Sequence, residues 1–279
     1  MPSYDAGGIT ASYAEAGAGA PIVLLHGSAG SDAHWRPLFE RLGERFRLIA
    51  PNLHSYGETD PWPGARPLGL GDEAAIVHAL IERLDAPVHL VGHSYGGAVA
   101  MRVALERPDT LNRLTLVEPA AFYLLHGTGP ANQLKFREIA GVATDVCEAV
   151  ITGDYHGGAA RFVDYWNGTG AWAALKPKIQ AAIAGQLVKI AAEFNAIMSE
   201  PATAEDYREI DVPTHILRGE RSPGPVRRIA EILAGEIPST VLATVAEAGH
   251  MLPLTHPDSV SAAVAGGTCS RTTIEQEAA

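Results

Sequence analysis

The sequence predicts an α/β protein, with a mostly parallel sheet interrupted by one large helical insertion. Three observations carry this. Over residues 1–110 short, near-continuous apolar runs alternate with longer amphipathic ones, as in a sheet covered by helices on both faces. From about Ala121 to Asp206 the alternation stops and the chain becomes Ala- and Gly-rich and helical, with no clear strand; strand signals then return. Finally, 279 residues with 47% hydrophobic and 19% charged side chains can bury a sizeable core, which excludes disorder over most of the length.

The elements follow in order. Pro21–Leu25, Phe46–Ala50, Pro87–Val91 and Arg113–Val117 read as buried strands, and Thr214–Arg218 and Thr240–Val245 as later ones. Helices are expected over roughly 32–42, 72–84 and 97–106. In the second, Ile76, Leu80 and Leu84 recur every four residues and form one apolar stripe. Within the insertion, Ile183, Leu187, Ile190, Phe194 and Ile197 predict a single helix over 179–198. Its stripe fits packing inside the insertion or a contact between two copies of the chain. Helices over about 226–234 and 257–264 complete the set. The expected organisation is therefore a core of 1–120 plus 207–266, a helical cap of 121–206, and a disordered polar tail of 267–279.

Charge and composition narrow the partners. The formal charge of −11 leaves no basic footprint for nucleic acid or an anionic membrane. Two cysteines, Cys147 and Cys269, make no disulfide framework, and they suit a reducing compartment. The N-terminus has no basic segment followed by an apolar run, and no stretch reaches the roughly 18–20 apolar residues of a membrane span. A cytoplasmic protein acting on a small molecule is expected.

Chemistry concentrates in three places. Gly92-His93-Ser94-Tyr95-Gly96 directly follows an apolar run and opens a helical one. A Gly-x-Ser-x-Gly between strand and helix forces the serine into a strained turn and pushes its hydroxyl out at the sheet edge. The following helix turns its positive end toward a developing anion. His26-Gly27-Ser28-Ala29-Gly30 follows the strand Pro21–Leu25. The backbone N–H groups of Ser28 and Tyr95 would form an oxyanion hole there. Among 11 histidines, His250 lies in a loop after the last strand, where it can fold back over the sheet edge as general base. His26 and His93 would line the site as neighbours. For His34, His54, His78 and the remaining histidines a surface or satisfied core position is expected.

Strand, His-Gly loop, Gly-His-Ser-Tyr-Gly-Gly, helical insertion and late Gly-His together resemble the α/β-hydrolase superfamily over roughly residues 8–264. The segment Pro51–Thr59 resembles that superfamily's Asp-Leu-x-Gly-x-Gly-x-Ser/Thr loop, with Ser55 in place of a usual glycine. The resemblance implies an eight-stranded, mostly parallel sheet, a Ser–His–acid triad and no cofactor or metal. It names no substrate, because the fold hosts many chemistries.

The acid departs from the pattern. Three residues past Gly219, where most members carry it, stands Ser222. Glu118, at the end of Leu116-Val117-Glu118-Pro119, matches a subset of the superfamily with its acid after this earlier strand. Glu220 is the rival, although Arg221 offers a surface ion pair nearby. A solvated Glu118 with no acid completing the triad is a third reading. With Ser rather than Asp at position 94, similarity to dehalogenase and epoxide-hydrolase branches stops at the architecture. Serine suits attack on an ester, lactone or similar carbonyl. Trp35, Phe122, Tyr123 and Trp166 are candidate pocket residues. A ligand-binding protein that keeps the triad without turnover is the alternative from another class.

Overall fold

The computed structural model describes residues 1–126 and 129–266; the tail expected over 267–279, with Cys269, lies outside them. Eight strands form one sheet: β1 Ser3–Asp5, β2 Thr10–Ala16, β3 Pro21–Leu25, β4 Arg47–Pro51, β5 Val88–His93, β6 Leu111–Val117, β7 Thr214–Gly219 and β8 Thr240–Val245. Their order across the sheet is β1-β2-β4-β3-β5-β6-β7-β8. β2 runs antiparallel to both β1 and β4, and every other pairing is parallel. The eight-stranded, mostly parallel α/β fold is thus as expected.

The central strands bury both faces, which is why β3 and β5 read as continuous apolar runs. One face packs residues such as Val23, Leu90, Val99 and Leu114, and the other Ile22, Leu24, Trp35 and Val91. The chain leaves β3 for β4 on one side and returns to β5 on the other. The strand order therefore reverses at the carboxyl ends of β3 and β5, where such sheets open a crevice for ligands.

Between β6 and β7 the chain is helical, with Pro130–Thr152, Tyr155–Asn167, Pro177–Gly185 and Leu187–Met198 as the main helices. The single helix expected over 179–198 is two. They meet at Gln186 with a 51° bend. Gly185 is a weak helix former, and the apolar spacing runs through the break without a signal. Among the described residues no single helix is long and apolar enough to cross a membrane.

Candidate active site

Ser94 follows β5 directly and the helix Tyr95–Glu106 starts on the next residue. Its backbone sits at φ 52° and ψ −117°, a conformation that non-glycine residues avoid. Hydrogen bonds pin it there: Ser94 N–H donates to Val117 O at 3.0 Å, while Gly97, Ala98 and Ala120 donate to Ser94 O. The turn is so close to β3 that a Cβ on Gly96 would stand 2.4 Å from Leu25 O. That glycine is a steric requirement.

The His26–Gly30 loop crosses just above. A Cβ on Gly27 would come within 3.0 Å of His93 Nδ1 and 3.1 Å of Ser94 Cβ, so the loop approaches the serine as only glycine permits. Ser28 and Ser94 line one small cavity together. Neither the Ser28 nor the Tyr95 N–H donates a hydrogen bond among the described residues. His26 does not line the site. Its Nδ1 donates to Gly27 O at 2.9 Å and its Nε2 accepts from Leu53 N at 3.2 Å, so the ring ties the loop to the segment after β4. Burial pushes it down to about 4, which keeps it neutral for that pairing.

His250 arrives from the loop after β8. Its Nε2 lies 2.9 Å from Ser94 Oγ and its Nδ1 3.0 Å from Glu118 Oε2. His93 Nε2 donates to the His250 carbonyl at 2.9 Å. Trp166 stacks on the imidazole, with centroids 4.1 Å apart and planes 24° from parallel. Glu118, at φ 54°, is fully buried, which removes the solvated reading. Gly219 N–H donates to its Oε1. Ser222 Oγ, at the position where the acid is usual, lies beside the carboxylate, short of full hydrogen-bond geometry, and favours its charged form. Burial outweighs both and pushes Glu118 up to about 8; the same burial pushes His250 down to about 3.

Glu220 is elsewhere. Its exposed carboxylate accepts from Glu247 N at 2.9 Å, and Arg221 pairs with Glu247, not with Glu220 as anticipated.

Two cavities flank Ser94. The outer one, about 440 Å³, is lined by His34, His93, Val163, Trp166, Ile183 and His250 among others, and is mostly apolar. The inner one, about 10 Å³, is lined by Ser28, Ser94, Phe122, Trp166, Glu193 and Phe194 among others. Three expectations are thereby corrected. Trp35 is wholly buried in the core beside Leu38 and Leu252, and its neighbour His34 faces the outer cavity instead. The 3-10 turn over Asp32–Trp35 places these two rings on different sides, which linear spacing did not reveal. Tyr123 hydrogen-bonds Tyr207 and is buried between elements instead of lining either cavity. His34 is likewise no satisfied core residue, since its Nε2 has no partner.

Sequence reasoning also missed a buried ionic cluster beneath the inner cavity. Lys189 Nζ pairs with Glu73 and lies 3.4 Å from Glu193 Oε1. The available signal was position: Glu193 lies three residues after Ile190 and four before Ile197, on the apolar stripe of its helix, where a charge is an anomaly.

A sequence model of the alpha/beta hydrolase family matches residues 22–263. The chain belongs to that family. Among its hydrolase relatives, Lipase LipV of Mycobacterium tuberculosis is 29% identical over 88% of this chain and 92% of its own length. The 2-hydroxy-6-oxo-2,4-heptadienoate hydrolase of Pseudomonas putida is 36% identical, but over only 40% of this chain and 42% of that relative. In three dimensions the chain resembles the epoxide hydrolase CorEH, with a TM-score of 0.77 at 21% identity, covering 95% of this chain and 96% of that one. At that identity the likeness concerns the fold alone.

Proposed function

We propose that the protein is a cofactor-free serine hydrolase that cleaves a small or medium, apolar ester or lactone through a Ser94–His250–Glu118 triad. One observation carries the reading: the unbroken relay from Ser94 Oγ through both His250 nitrogens to Glu118, at 2.9 and 3.0 Å, on the floor of a mostly apolar cavity. The lipase relative that aligns over most of the chain supports ester chemistry.

In the first step Ser94 Oγ bonds to the carbonyl carbon while its proton passes to His250 Nε2. The carbonyl electron pair moves onto oxygen, which accepts hydrogen bonds from the Ser28 and Tyr95 N–H groups. Collapse breaks the bond to the alcohol oxygen, and that oxygen takes the proton from His250. Water then attacks the acyl-enzyme and gives a proton to the same nitrogen. The carboxylic acid departs and Ser94 regains its hydrogen. Glu118 holds His250 with Nδ1–H toward the acid and stabilises the transient imidazolium. In this reading residues 121–206 cap a core of 1–120 and 207–266, and Trp166 presses the imidazole into place.

Intact-mass analysis after incubation with a fluorophosphonate tests the proposal. A single adduct on wild type and none on Ser94→Ala is expected. Absence of an adduct on wild type would overturn it in favour of a ligand-binding protein.

A further inference from the structure

The buried Glu73–Lys189–Glu193 cluster holds one cation and two carboxylates, and the charges are not evenly satisfied. Glu73 is fully engaged: it pairs with Lys189, accepts from His54 N at 3.0 Å and from Tyr95 OH at 3.2 Å. Lys189 thus already has its counter-ion, and its ammonium also sits over the Tyr56 and Tyr95 rings, at 5.5 and 5.2 Å. Glu193 is the surplus group. Only 1% of it is exposed, Lys189 Nζ stands 3.4 Å away, and the Ser28 and Tyr56 hydroxyls lie beside it and favour its charged form, yet neither carboxyl oxygen makes a hydrogen bond of full geometry. Burying a carboxyl whose hydrogen bonding is incomplete costs stability, and core helices do not carry one without reason. Glu193 lines the inner cavity beside Ser28 and Ser94, in walls that are otherwise apolar, such as Phe122 and Phe194.

Which part of a substrate reaches Glu193 follows from the relay. His250 must give its proton to the leaving oxygen, and His250 lines the outer cavity but not the inner one. The leaving alcohol therefore lies on the outer side and the acyl substituent on the inner side. At about 10 Å³, the inner cavity has room for roughly one water-sized group. A hydroxyl fits that space and completes the hydrogen bonding of Glu193.

We propose that Glu193 is a specificity-determining residue that accepts a hydrogen bond from a hydroxyl on a short acyl group, so that the enzyme prefers hydroxyacyl esters to plain alkanoyl esters of equal size. This rests on the serine-hydrolase reading. A site built to bond a substrate hydroxyl discriminates against the analogue lacking it, because the buried acceptor is left unpaired.

The test compares 4-nitrophenyl glycolate with 4-nitrophenyl propionate, whose acyl groups differ by hydroxyl against methyl. The kcat/KM ratio is divided by the ratio of hydroxide-catalysed rates, which removes the inductive effect of the hydroxyl. A corrected preference for glycolate of about tenfold to a hundredfold is expected in wild type, a readout that needs no variant. Glu193→Leu should bring the corrected ratio to about one, and Glu193→Gln, which keeps an acceptor oxygen, should restore part of the preference. A Ser94 fluorophosphonate adduct together with a corrected wild-type ratio near one, or failure to turn over the glycolate, would overturn the role of Glu193 while the triad reading stands. No adduct and no turnover of either ester would overturn both. A preference that persists in Glu193→Leu would assign the selectivity to another residue.

Discussion

Replacing Glu118 by Gln should move the acid limb of the pH profile downward as well as slow the reaction. Desolvation pushes the buried His250 down to about 3. With a carboxylate 3.0 Å from its Nδ1, the imidazolium gains roughly 332/(20 × 3.0), about 5.5 kcal/mol at an effective dielectric of 20. That attraction opposes the desolvation and raises the proton affinity of the pair. The sign follows from charge. The active form, carboxylate with neutral imidazole, carries one negative charge, and one added proton makes the pair neutral, which burial favours. The wild-type limb of kcat/KM should thus ascend near neutral pH and belong to the pair. In Glu118→Gln the neutral amide no longer rewards the imidazolium, so the limb should move to lower pH, in the direction burial drives the imidazole. Above roughly pH 5 the residual activity should be flat, with kcat lowered about 10³- to 10⁴-fold by loss of tautomer control. The profile would be read by stopped-time hydrolysis of a 4-nitrophenyl ester across pH 4–9. A limb that stays in place or rises in the variant would refute the assignment of Glu118 as the charged partner of His250.

Two further outcomes are expected. Glu220→Gln should change kcat by no more than about twofold, since its carboxylate only caps the Glu247 N–H at the surface; a collapse of kcat there would transfer the acid role to Glu220. Ser55→Gly should stabilise the fold by about 1 kcal/mol in urea unfolding, because Ser55 holds φ 65°, where a Cβ is penalised and glycine is not. Destabilisation would show that the Ser55 side chain contributes more than its backbone strain costs.

The parts of the site that were legible in the sequence are those built by neighbouring residues. The elbow at Ser94 is a local device: strand, two glycines and helix within a few positions dictate the φ of the serine, whatever packs around it. His250 was legible by chain order, since a loop after the last parallel strand returns to the sheet edge where β5 ends. Glu118 stood open against Glu220 because its pairing spans 132 residues and depends on how two loops leave adjacent strands. What decides it is the buried end of β6, where Glu118 N–H donates to Leu217 O at 2.8 Å and turns the carboxylate inward. Trp35 and His34 were exchanged for a related reason: adjacent residues on a 3-10 turn face opposite sides, and only the sheet shows which side is the cavity.

Glu193 was overlooked for a different reason. Apolar spacing predicts its helix, and the same spacing places two charges within the stripe. Lys189 and Glu193 sit i and i+4 on a face that packs against the core. An ion pair at that spacing is ordinary on a solvated face, where it contributes only a few tenths of a kcal/mol. On a buried face it demands compensation from another element. Glu73, on the first-half helix Leu70–Ile81, supplies it for Lys189 and leaves the carboxylate of Glu193 directed at the space beside Ser94. A charge on an apolar stripe is thus a pointer to a tertiary partner, here Glu73 for Lys189 and the Ser28 and Tyr56 hydroxyls beside Glu193.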